Sequence, residues 1–61
     1  MEEIRHILMK RDGMSETEAD DLIEEARDAL QEYIDAGDLS SASDVCREYF
    51  GLEPDYLEEL L

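Results

Sequence analysis

The chain has 61 residues, 43% of them apolar and 39% charged, and its 19 Asp and Glu against 5 Lys and Arg leave a formal net charge of −14. One small domain is all this length supports, near the lower limit for a single hydrophobic core, and a charge of that sign argues against direct contact with nucleic acid or an anionic membrane, since both need Lys and Arg at the phosphates. The lone Cys46 and the lone His6 supply neither an intramolecular disulfide nor a full zinc site, so self-association is the remaining way to reinforce so small a core.

The opening segment MEEIRHILMKRDG breaks its apolar residues with charge every few positions, which fits neither a secretory signal nor a membrane span; the expectation is a cytoplasmic protein. Its apolar residues Ile4, Ile7 and Leu8 predict a helix over about 2–11, with Met1 and Met9 extending the apolar margin and Asp12-Gly13 closing it. Arg5, Lys10 and Arg11 outnumber Glu2 and Glu3 here, so the negative excess lies entirely beyond this helix. The first segment can attract the acidic remainder of its own chain or of a second copy.

In MSETEA, Ser15 and Glu18 stand at capping-box spacing and Met14 and Ala19 at staple spacing, which marks the start of a second helix over about 16–36. Ala19, Leu22, Ile23, Ala26, Ala29, Leu30, Tyr33 and Ile34 give it a broad apolar face that suits two neighbours better than a two-stranded seam. Gly37 ends it. Asp38 or Ser41 caps a third helix over about 39–50, Ser41 and Asp44 offering a weaker capping box. That helix carries Leu39, Ala42, Val45, Cys46, Tyr49 and Phe50 on one face, and Gly51 closes it with Leu52 folding back. Pro54 takes the first position of a short final helix over about 54–60, whose apolar residues are Tyr56, Leu57, Leu60 and Leu61. No segment has a strand pattern, so the expected fold is all-α: a small bundle of three main helices plus a short C-terminal one, self-associating.

Candidate chemistry is sparse. Cys46 reads as a small buried hydrophobe and His6 as a surface group beside an apolar face. The many carboxylates offer no single isolated acid of the kind a general acid or base requires, and DAGDLSSASDVC lacks the alternation and terminal Glu of a calcium loop. The expectation is therefore no enzyme, no metal and no cofactor. Among the aromatic residues, Phe50 and Tyr49 read as core, while Tyr56 with Leu57, Leu60 and Leu61 could leave an apolar end that a monomer does not cover and a homodimer would.

The remaining signal is acidic. Between positions 20 and 35 lie Asp20, Asp21, Glu24, Glu25, Asp28, Glu32 and Asp35. Like charges four apart on a helix cost about 0.2–0.5 kcal/mol per pair, a noticeable charge against a small domain. Along the axis they fall about one per 3 Å, close to the ~3.4 Å per phosphate on one strand of duplex DNA. Three accounts follow: a solvated face that confers solubility on a dimerisation or scaffold module, a surface for a basic protein partner, or a DNA mimic that inhibits a nucleic-acid-binding protein.

The segments RDGMSETEA and FGLEPDYLEELL resemble those of short acidic helical proteins found in phage and prophage gene sets. The resemblance rests on Asp12, Gly13, Met14, Ser15, Glu18 and Ala19, and on Phe50 through Tyr56, chiefly cap and turn residues. It implies a phage accessory or host-modulating role and no activity, cofactor or catalytic residue. The expected function is thus a small, non-enzymatic module that binds a protein with a basic surface.

Overall fold

The computed structural model describes the backbone of residues 2–61 and the side chains of residues 3–61. The apolar margin expected of Met1 lies outside the described residues. Five helical segments follow one another: α1 (Glu2–Arg11), α2 (Glu16–Asp35), α3 (Leu39–Ser43), α4 (Val45–Phe50) and a 3-10 helix (Pro54–Glu59). Among the described residues there is no strand.

Local chemistry explains the first two. In α1, Ile4 and Leu8 are one turn apart and fully buried, and Lys10 and Arg11 occupy its last turn, where positive charge meets the negative end of the helix dipole. Gly13 takes φ 67°, a left-handed conformation that turns the chain back towards α2. There Ser15 and Glu18 form the expected capping box: the Glu18 N–H donates to Ser15 Oγ and the Ser15 N–H to Glu18 Oε1, both at 3.1 Å. α2 ends in a Schellman pattern, with the Asp38 N–H donating to the Tyr33 carbonyl (2.8 Å), the Gly37 N–H to that of Ile34 (3.0 Å), and Gly37 at φ 74°.

The third main helix is not continuous. It breaks at Asp44, whose φ of −91° and ψ of −1° leave the regular helix. Asp38, not Ser41, is the N-cap: its carboxylate accepts the Ser41 N–H at 3.2 Å and the Ser41 hydroxyl at 2.7 Å. The proposed box from Ser41 to Asp44 is absent, because Ser41 is already engaged as the donor of that cap. Ser43 Oγ donates back to the Leu39 carbonyl at 2.9 Å, a bond that bends helices. Serines compete with the backbone for such partners, so the LSSAS turn cannot carry a straight helix into α4. Leu39, expected on the apolar face, is 67% exposed, and Ile34 at the end of α2 is 40% exposed.

The C-terminal segment also departs from expectation, winding as a 3-10 helix rather than an α-helix. With three residues per turn, positions 54, 57 and 60 form one row and 55, 58 and 61 another. Leu60 is accordingly buried at 4% exposure, Tyr56 and Leu57 pack half-buried on the core, and Leu61 joins Asp55 and Glu58 outside at 76% exposure. An α-helix would have aligned Leu57 with Leu61. The apolar end expected to await a second copy is therefore largely covered by the chain itself.

α2 is the spine. It packs against α1, α3 and α4, while the 3-10 helix packs on α4. Twenty residues of helix span about 30 Å, so α2 sets the 33 Å long axis of the molecule. The core joins Ile4 and Leu8 of α1, Ala19, Ile23, Ala26 and Leu30 of α2, Ala42 of α3, Val45, Cys46 and Phe50 of α4, and Leu60. Two polar ties close the ends. Arg11 donates to Asp12 Oδ2 at 2.8 Å and to the Phe50 carbonyl at the end of α4, and Glu59 Oε1 accepts the Ile4 N–H of α1 at 3.4 Å. The radius of gyration, 11.1 Å, is close to the ~10.5 Å expected for a folded chain of this length.

Candidate functional site

The outward face of α2 follows from its inward one. At 3.6 residues per turn, Ala19, Ile23, Ala26 and Leu30 point to the core, and the opposite arc, roughly 140° wide, holds Asp20, Asp21, Glu24, Glu25, Asp28, Glu32 and Asp35. The structure brings these carboxylates together as one solvent-facing surface, but not as equivalents. Asp20 is half-buried and committed within the chain: Arg5 Nε donates to its Oδ1 at 2.8 Å, and Arg5 Nη1 lies 3.7 Å from Glu16 Oε1. Asp35 accepts a hydrogen bond from Gln31 Nε2 at 3.0 Å.

Asp21, Glu24, Glu25, Asp28 and Glu32 are exposed and, among the described residues, have no ion-pair partner within 4 Å. Three of the five cations are used elsewhere. Arg5 serves Asp20, Arg11 serves Asp12 and α4, and Arg27 lies at the margin of the acidic arc with its Nε 3.5 Å from the Leu60 carbonyl. The negative field also wraps around the C-terminal end of α2. The charge of Glu48 pushes the Tyr33 phenol up, with burial and the charges of Tyr49, Asp38 and Glu32 adding to it.

Two shallow grooves flank this face. One, of about 300 Å³, is lined by Met14, Glu18, Asp21, Leu22 and Glu25; the other, of about 350 Å³, by Arg5, Asp20, Ile23, Glu24 and Arg27. The second already contains its own counter-charges. The first pairs an apolar floor with carboxylates alone. Sequence reasoning treated Met14 as a staple and Leu22 as core; each is half-buried against the core and still exposes part of itself to the groove. No periodicity signals this, because the concavity forms only where the chain entering α2 lies beside its first turns.

The other candidate groups lie apart. Cys46 is buried as a free thiol whose pKa is raised by burial first and by Glu59 second, the opposite of what an activated nucleophile needs. His6 is exposed on α1. Among the described residues no group of three or more His, Cys, Asp or Glu side chains is arranged to hold a metal ion, and no helix is long and apolar enough to cross a membrane.

Fold and surface together define a class: a small all-α protein built around one long helix whose outer face is acidic and, apart from Asp20, without counter-charge among the described residues. Comparison with known proteins gives no matching family model, no matching curated protein and no matching solved structure.

Proposed function

We propose that the protein acts without catalysis, as a binding module whose outward α2 face docks on a basic surface of another protein. The observation that carries this reading is the selective distribution of counter-charge. Three of the five cations, Arg5, Arg11 and Arg27, are spent within the fold at Asp20, Asp12 and the ends of α4 and the 3-10 helix, while among the described residues Asp21, Glu24, Glu25, Asp28 and Glu32 face solvent without an ion-pair partner. Like charges one turn apart repel, so the chain keeps an arrangement that costs stability. A cationic partner would offset that cost on binding. In the phage or prophage setting that the sequence resembles, this partner is a host or phage protein with a basic groove, and a nucleic-acid-binding protein is one such target.

The test compares two variants of equal charge change. Glu24→Gln with Asp28→Asn and Glu32→Gln neutralises the α2 face; Glu53→Gln with Asp55→Asn and Glu58→Gln neutralises the exposed acids around the 3-10 helix. In pull-downs at low and high salt, partners retained by the wild type are lost with the first variant, kept with the second, and released as salt shortens the screening length. The first variant is also the more stable to urea, by a few tenths of a kcal/mol per relieved pair, about 0.2–0.5. Equal retention by both variants would mean that the acid serves solubility alone.

A further inference from the structure

We infer that the groove beside the first turns of α2 is a receptor for a single long basic side chain, Lys or Arg, presented by the partner's basic segment. This rests on the binding-module reading and names the point of contact within it. The groove has a floor of Met14 and Leu22 and a rim of Glu18, Asp21 and Glu25. On α2, positions 18, 21, 22 and 25 repeat at three and four, so the carboxylates and Leu22 form one continuous strip along the helix, with Met14 laid beside it by the turn after Gly13.

A Lys or Arg side chain is an apolar stem ending in a charge, and it buries the stem on apolar surface while the head stays among polar groups. The groove has this layout. Methionine, unbranched and polarizable, adapts to an irregular occupant better than a branched residue would. Glu18 spends one oxygen on the Ser15 amide, so its direction is set by the helix cap, while Asp21 and Glu25 are exposed and uncommitted.

Other occupants fit less well. Three carboxylates repel an anion, and about 300 Å³ is the bottom of the range for small-molecule sites, enough for one extended side chain and little more. A second copy of the chain would bring its own −14 charge against this rim. The neighbouring groove, lined by Arg5 and Arg27, lacks the charge contrast, which places the basic side chain at the first groove and not at the second.

The probe is pentalysine at low ionic strength, titrated into protein carrying labelled methyl and amide groups and followed by NMR. The Met14 and Leu22 methyl signals shift together with the Asp21 and Glu25 amides, at one midpoint. Met14→Gln, which leaves every charge in place, weakens that midpoint by about fourfold, the effect of one buried methylene's worth of apolar contact. Shifts confined to the amides of Glu24, Asp28 and Glu32, with the two methyl signals unmoved, would overturn the groove and leave the acidic-face reading standing. Absence of any shift along α2 would overturn both. Should Met14→Gln lose its helical circular dichroism, the wild-type methyl titration decides alone.

Discussion

Residues 2–35 and residues 36–61 form helices by different means. The first stretch holds two helices, of 10 and 20 residues, with a capping box, a Schellman end and an apolar residue every third or fourth position. The second holds three short segments of 5 or 6 residues, one bent by serine and one wound as a 3-10 helix. Short helices are marginal in isolation because nucleation costs more than a few hydrogen bonds return. The second half is therefore helical because Val45, Cys46, Phe50 and Leu60 are buried against α1 and α2, whereas α2 has local signals of its own. A single core shared between the halves makes them one cooperative unit.

The largest break in that comparison comes from Phe50→Ala. Phe50 is 2% exposed and is the largest of the fully buried side chains. Its removal costs about 3–5 kcal/mol, close to the whole stability of a domain this size, about 5 kcal/mol. Helical circular dichroism should fall across the entire chain, α2 included; a variant that lost only the second half would show that α2 stands alone. Next is the pair Leu60→Ala and Leu61→Ala, adjacent and chemically identical. The first empties a core position and costs about 2–5 kcal/mol, while the second stays within ~0.5 kcal/mol of the wild type. Urea unfolding at several protein concentrations reads both, and a large effect at Leu61 that grew with concentration would restore self-association through this end.

The smallest effect sharpens the role of local signals. Ser15→Ala removes the hydroxyl that accepts the Glu18 N–H and costs about 1 kcal/mol at neutral pH, while the backbone N–H that donates to Glu18 Oε1 remains. The Ser15 backbone amide, then its side chain, lowers the Glu18 pKa from its ordinary 4.5, so this contribution is complete above that pH and is lost as pH falls through the depressed folded value. Glu18→Gln, which carries no such titrating charge, should therefore lose less stability on acidification than the wild type, measured as the difference in urea midpoint between pH 7 and pH 3. A difference equal to or larger than that of the wild type would show that the box contributes nothing through Glu18.

Much of the candidate site was legible from residue spacing. The acids of α2 stand at positions whose period places them opposite Ile23, Ala26 and Leu30, so their outward direction needed no coordinates. What spacing did not separate was Asp20 from Glu24. Both lie on one flank one turn apart, and only the approach of α1 brings Arg5 to the former. The same holds for Tyr56, Leu57, Leu60 and Leu61, which as an α-helix would share one side and in the 3-10 winding divide between core and solvent.

By itself the sequence determined helical character, the caps at Ser15, Gly37 and Gly51, the two faces of α2 and the sign of the surface, because these depend on contacts within one or two turns of chain. Tertiary structure alone decided how the last segment winds, which carboxylates keep a counter-ion and where a groove opens. Those outcomes depend on which distant side chains compete for the same core volume and the same few cations, and such competition has no periodic trace in the order of residues.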